Sequence, residues 1–268
     1  MKHLIDNLMA NPEIYGLWKY IPYPGCTILD CGFNTPGGWE AARLLALAAI
    51  DERGLVSFGN FDLGSCRLPA INICYDSPKT LLATLAQPVH IKNWEIFGPA
   101  LVPGNKNRLL LCSIDKIDSG SCGRPALPEL LMGINNTLDL NNHDQVVIAI
   151  APYPSLVGMI LQTSSALPRT LQILITNGLD PDQVLWGWSS CPLPPLVDDL
   201  QLAIARLEKT LLYGLTISLW VRGDNEQLVT LLNKTPVNGQ VRLHNLTTAK
   251  TIVKGSIAGD QLRNLYSL

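Results

Sequence analysis

Residues 146–151 read VVIAIA, an unbroken apolar run rich in β-branched side chains and stopped by Pro152. A run this short, with no polar alternation, describes a strand covered on both faces. The strand-loop-helix rhythm that follows it, to Tyr213, is what the rest of the chain is organised around. After Pro152, Tyr153 and Pro154, Ser155 is placed to cap a helix over 156–161, in which Gly158 lets the helix backbone approach a neighbour or a ligand closely. Pro168 either interrupts that helix or opens the next. Residues 184–190 form a second strand, with Trp186 and Trp188 two apart and therefore on one face. A rigid turn, Cys191 to Pro195, follows, and Asp198 and Asp199 begin a helix running to Tyr213, where acidic side chains suit the macrodipole. Loops that leave buried strands and enter helix N-termini are how ligand clefts are built.

Composition narrows the functional classes. The chain has 268 residues, 47% of them hydrophobic, enough for one large domain or two modest ones. Charged residues are only 16% and the net charge is −2, which leaves no electrostatic footprint for nucleic acid or an anionic membrane. The same low charge fraction is what a surface covered by other subunits looks like. No apolar run reaches the length of a membrane span and the N-terminus lacks a signal layout, so the expected location is cytoplasmic. Seven cysteines without a CxxC pair and four scattered histidines read as free thiols and no metal site. Cys191 stands beside the expected cleft, but no histidine is placed by the sequence to activate it.

Towards the N-terminus, the first eleven residues form an amphipathic helix with Leu4, Leu8 and Met9 on one side. Residues 26–31 are a strand, Asn34, Pro36, Gly37 and Gly38 lie in a Gly-rich loop, and 39–52 are helical. A Pro-Gly-Gly turn at a helix start can present backbone N–H groups to a ligand; the alternative is a tight turn with Trp39 as a core plug. Glu40 is the carboxylate nearest this loop, a candidate for ligand contact, acid/base work or helix capping. Further strands are expected at 56–63, 69–75, 108–114 and 217–222, helices at 80–86 and 125–134, and a closing hairpin at 241–254 turning through Thr248, Ala249 and Lys250. The Arg222-Gly223-Asp224 string reads as a turn.

Three islands carry a resemblance. APYPSLVG (151–158) with GWSSCPLPPLVDDL (187–200) and LLYG (211–214), DCGFNTPGGWEAARLLA (30–46), and VRLHNLTTAKTIVKGSI (241–257) occur in the order in which similar segments occur in the methenyltetrahydromethanopterin cyclohydrolase family. The chain resembles that family across most of its length. It departs from it where the family carries an Arg and, three residues on, a Glu that position and activate the hydrolytic water: those places fall on Ser165 and Pro168. Asp76 and Pro78 match a further family segment, with Ser77 in place of its histidine, while Gly98, Pro99 and Ala100 match a loop whose serine and arginine are lost.

The resemblance implies an α+β fold of two α+β units side by side with a pocket between them; the polar stretch near 135–145 divides them into an N-terminal unit 1–140 and a C-terminal unit 141–268. It implies a trimer, and a tetrahydromethanopterin-type pterin as substrate or ligand, with no bound prosthetic group. Carried onto this chain, the binding residues are Asn34, Pro36, Gly37, Gly38, Tyr153, Ser155, Gly158, Ser165, Ser189, Ser190 and Pro192, and the carboxylates that can replace the lost Glu are Glu40, Asp198 and Glu208. Three readings stay open: changed chemistry such as carrier biosynthesis, a divergent cyclohydrolase, and a non-catalytic pterin-binding or partner subunit of a one-carbon pathway.

Overall fold

The computed structural model describes residues 3–75, 88–91, 94–102, 108–114, 130–134 and 145–268. The fold is α+β, with two mixed six-stranded sheets, one in each of two compact units. The first unit takes the described residues of Met1–Glu52, Thr84–Met159 and Leu196–Ile204; the second takes those of Arg53–Ala83, Ile160–Pro195 and Ala205–Leu268. Each unit is gathered from three stretches; of the single boundary expected at 135–145, residues 135–144 lie outside the described residues. Asp76, Ser77 and Pro78, the helix expected at 80–86 and the start of the one at 125–134 also lie outside them.

In the first unit the sheet runs β1 (Trp18–Tyr23), β2 (Cys26–Asp30), β8 (Val146–Ile150), β7 (Leu109–Ile114), β6 (Trp94–Phe97) and β5 (Val89–Ile91). β8 pairs in parallel with both β2 and β7, and every one of its residues is buried, as its unbroken apolar run requires. The amphipathic helix α1 (His3–Ala10) buries Ile5 and Leu8, and α2 (Trp39–Ala49) buries Ala41, Ala42, Leu44, Leu45, Ala46 and Ala48. α2 ends three residues earlier than expected, where Asp51 and Glu52 take positive φ.

The second sheet runs β12 (Lys250–Lys254), β11 (Gln240–Asn245), β10 (Thr216–Val221), β9 (Val184–Pro192), β4 (Arg67–Tyr75) and β3 (Gly54–Asp62). Its register puts Val56, Ile73, Ser189, Ile217 and Val241 in one cross-strand row, all buried. The neighbouring row, on the opposite face, holds Leu55, Cys74, Trp188, Ser218, Arg242 and Val253. Cys191 and Pro192 are not part of a turn: β9 continues through them, paired with Ile71 and Ala70, because Pro192 comes at the strand's end where a missing donor is tolerated. β11 and β12 form the expected hairpin. The helices here are α4 (Ala166–Thr176), α6 (Asn225–Lys234) and α7 (Gly259–Leu265), with α3 (Leu156–Ser164) and α5 (Leu200–Gly214) each shared with the first unit's segments. Pro168 opens α4 from within its first turn, where its absent N–H leaves no bond unmade. Asp224, of the Arg-Gly-Asp string, caps α6 by accepting from the N–H groups of Glu226 and Gln227 at 2.9 and 3.1 Å.

Candidate functional site

A cleft of about 440 Å³ opens in the first unit, lined by Gly32, Thr35 and Pro36, by Pro152, Pro154, Ser155 and Leu156, and by Leu196, Val197 and Asp198. That is the size of a small-molecule site. Three loops meet there, after β2, after β8 and before α5.

The first loop is shaped by Asp30, which is not among the site residues expected from sequence. Asp30 ends β2, 5% exposed, and its carboxylate accepts from the N–H groups of Gly32, Phe33 and Asn34 at 3.1, 2.8 and 3.0 Å and from the Asn34 amide at 2.7 Å. The Asp30 carbonyl takes the Thr35 hydroxyl at 3.1 Å. An Asp at a strand end before Cys-Gly-x-Asn is an Asx-turn signal that could have disclosed this. Gly37 has φ +68°, and a side chain there would meet Val157 at 2.5 Å, so only glycine fits. A side chain on Gly38 would meet the Tyr15 carbonyl at 2.7 Å. Trp39 is 48% exposed and is therefore not a core plug.

The second loop enters α3 through Ser155, whose hydroxyl accepts from the Gly158 N–H at 3.0 Å and donates to the Pro152 carbonyl at 2.7 Å. The close approach expected at Gly158 is to this loop itself: a β-carbon there would lie 2.0 Å from the Pro152 carbonyl oxygen. Tyr153, 8% exposed, sends its phenol to the buried Glu95. The third loop ends at Asp199, which caps α5 by accepting from the Leu202 N–H at 2.7 Å. Asp198 precedes it, exposed at the cleft wall, and among the described residues no hydrogen bond or ion pair engages its carboxylate.

Of the residues expected from sequence, the cleft brings together Pro36, Ser155 and Asp198; Gly37, Gly38, Tyr153 and Gly158 build its loops, and Asn34 is held at its rim by Asp30. Glu40 is exposed and engaged by Arg43, which donates to both its oxygens at 2.8 and 2.6 Å. The Arg43 hydrogen bonds hold the Glu40 carboxyl below its usual range. Ser165, Ser189, Ser190, Pro192 and Glu208 belong to the second unit. There the Ser165 hydroxyl donates to the Gln162 carbonyl at 2.7 Å, Ser189, Ser190 and Pro192 are buried in β9, and Glu208 is exposed on α5. Burial raises the Cys191 thiol far above its ordinary value, so it carries no nucleophilic thiolate. Among the described residues no cluster of His, Cys, Asp and Glu could hold a metal ion, and no helix is long and apolar enough to cross a membrane.

The fold and site define a two-unit α+β protein with a small-molecule cleft whose lining carries a single titratable side chain, Asp198. The family model described as Cyclohydrolase (MCH) matches residues 1–97 and 129–262. The chain belongs to that family. It is 24% identical over 249 residues to the methenyltetrahydromethanopterin cyclohydrolase of Methanococcoides burtonii, covering 87% of this chain and 77% of the relative. The enzyme of the same name from Methanosarcina mazei is 25% identical over 193 residues, 66% of this chain and 59% of the relative. That from Methylobacillus flagellatus is 23% identical over 247 residues, 88% and 74%.

Proposed function

We propose that the chain takes a tetrahydromethanopterin-type reduced pterin into the cleft as substrate, and hydrolyses its methenyl bridge with Asp198 in the place of the family's missing Glu. The observation that carries this reading is the unengaged Asp198 carboxylate among the lining residues. Hydrolysis of a methenyl carbon held between two nitrogens needs a base for the attacking water and a proton for the nitrogen that leaves, and one carboxylate can serve both in turn. As the water oxygen bonds the carbon, its proton passes to Asp198. When one carbon–nitrogen bond then breaks, that nitrogen takes the proton back. The adduct's hydroxyl gives its own proton to water as its oxygen becomes the carbonyl, and the other nitrogen keeps the formyl group, so the cationic substrate releases one net proton.

A second reading is favoured by Ser165 and Pro168. The Ser165 hydroxyl is committed to Gln162, and Pro168 has no proton chemistry, so the family's pair has no substitute at its own positions. On that reading the ligand is kept and the chemistry has changed, towards carrier biosynthesis or a non-catalytic role.

Loss of methenyl absorbance above the spontaneous rate separates the two. The Asp198→Asn variant is expected to lower kcat by about a hundredfold or more while binding persists. Binding by the wild-type chain without acceleration would establish the second reading, and loss of turnover with Glu40→Gln or Glu208→Gln alone would move the role to that carboxylate.

Assembly as a trimer is part of the same proposal. It is supported by the low charge content and by the second sheet, where Leu55, Trp186 and Val253 are 58%, 47% and 51% exposed on one face. Apolar surface of that kind is what subunits cover. Light scattering is expected to give a trimer that Trp186→Glu dissociates; a monomeric wild-type chain sinks the assembly.

A further inference from the structure

Glu95 is a buried carboxylate that the proposed chemistry leaves unused. It stands on β6, 6% exposed, opposite His90 of β5 and Ser113 of β7. Side chains opposed in this way share a face, so the three form a polar row across β5, β6 and β7. Two members of that row hold the loop that follows β8. The Ser113 hydroxyl, 1% exposed, donates to the Ala151 carbonyl at 3.0 Å, and the Tyr153 phenol donates to the Glu95 carboxylate at 3.0 Å. Tyr153 is flanked by Pro152 and Pro154, and both prolines line the cleft. Proline fixes its own φ and restricts the residue before it, so few torsions remain free between 152 and 154. Anchoring the Tyr153 ring therefore anchors both prolines.

We propose that Glu95 is a positioning residue for the Pro152–Ser155 wall of the cleft, acting through the Tyr153 hydroxyl, and that it sets ligand affinity without touching the ligand. The proposal rests on the reading that the cleft takes a reduced pterin.

The test compares the full-length wild type with Glu95→Gln, Glu95→Leu, Tyr153→Phe and the Glu95→Leu/Tyr153→Phe double variant. Two readouts are taken: Kd for methenyl-tetrahydromethanopterin, and amide exchange over residues 151–156 without ligand. Glu95→Gln keeps an oxygen that accepts the phenol, so both readouts should stay within about twofold of wild type. Glu95→Leu and Tyr153→Phe should each raise Kd about tenfold and speed exchange in that segment, and the double variant should add little to either. A destabilised control, Leu68→Ala in the second unit's Leu63, Leu68 and Leu262 cluster, should lower the thermal midpoint and leave both readouts unmoved. Wild-type exchange in the Glu95→Leu and Tyr153→Phe variants, or fully additive losses in the double variant, would overturn the positioning role. A wild-type chain with no pterin affinity removes the proposed ligand, while amide exchange still decides the positioning role.

Discussion

Gly158→Ala is expected to lower the stability of the chain by roughly 3 kcal/mol and to abolish ligand binding in the cleft. In an open helix the same change would stabilise by about 1 kcal/mol, since glycine is the poorer helix former. Here the sign reverses, because the added β-carbon would lie 2.0 Å from the Pro152 carbonyl oxygen, 2.7 Å from its carbon and 3.1 Å from the Ala151 oxygen. All three are backbone atoms, and none can swing aside as a flexible side chain would. Relief requires α3 to move off the loop after β8, which carries Pro152, Pro154 and Ser155 of the cleft lining. Urea denaturation followed by circular dichroism, with pterin titration on the same samples, measures both effects. A variant as stable as wild type would show that α3 does not pack this closely.

Asp30→Asn is expected to cost about 3 kcal/mol and to weaken pterin binding tenfold or more, although the two side chains have nearly the same shape. The carboxylate accepts four hydrogen bonds, two on each oxygen. An amide keeps one accepting oxygen and turns an NH₂ towards the donors that used the other, leaving two of them unmatched; each costs about 1–3 kcal/mol where water is excluded. The same bonds set the course of residues 32–36, from which Gly32, Thr35 and Pro36 line the cleft. Stability and affinity should therefore fall together, and a stability loss with unchanged Kd would show that the loop's course does not govern the site.

The two predictions involve residues of different legibility. Gly158 stood out because a glycine inside a helical pattern has a reason to be there, and the structure identifies that reason as the Pro152 carbonyl. Ser155 and Asp199 were legible as helix caps because a cap acts over three or four residues. The parity of Trp186 and Trp188 was legible because a strand alternates every two. Strands β1, β5 and β6 leave no such signal: β1 and β5 are sheet edges, half solvated, and β6 is four residues long, so none shows a clear period. Helices α6 and α7 bury few residues, Leu228, Leu231 and Leu232 in the one and Leu262 in the other, so their apolar stripes are narrow.

Sequence by itself determined that the chain mixes α and β elements and which loops could form a site, because helix and strand periods, turns and caps are set within a few residues of each other; the two-unit fold and the family came through the resemblance of the three islands. It also named the carboxylates that could replace the family's Glu, with Glu40, nearest the Gly-rich loop, first among them. The tertiary structure leaves Asp198 unengaged in the cleft lining and engages Glu40 with Arg43. It also assembled the first unit from three separated stretches, set β2 against β8, and brought Tyr153 to Glu95, 58 residues away along the chain. Contacts between residues so far apart depend on which strands pair and in what register, and no local pattern encodes that.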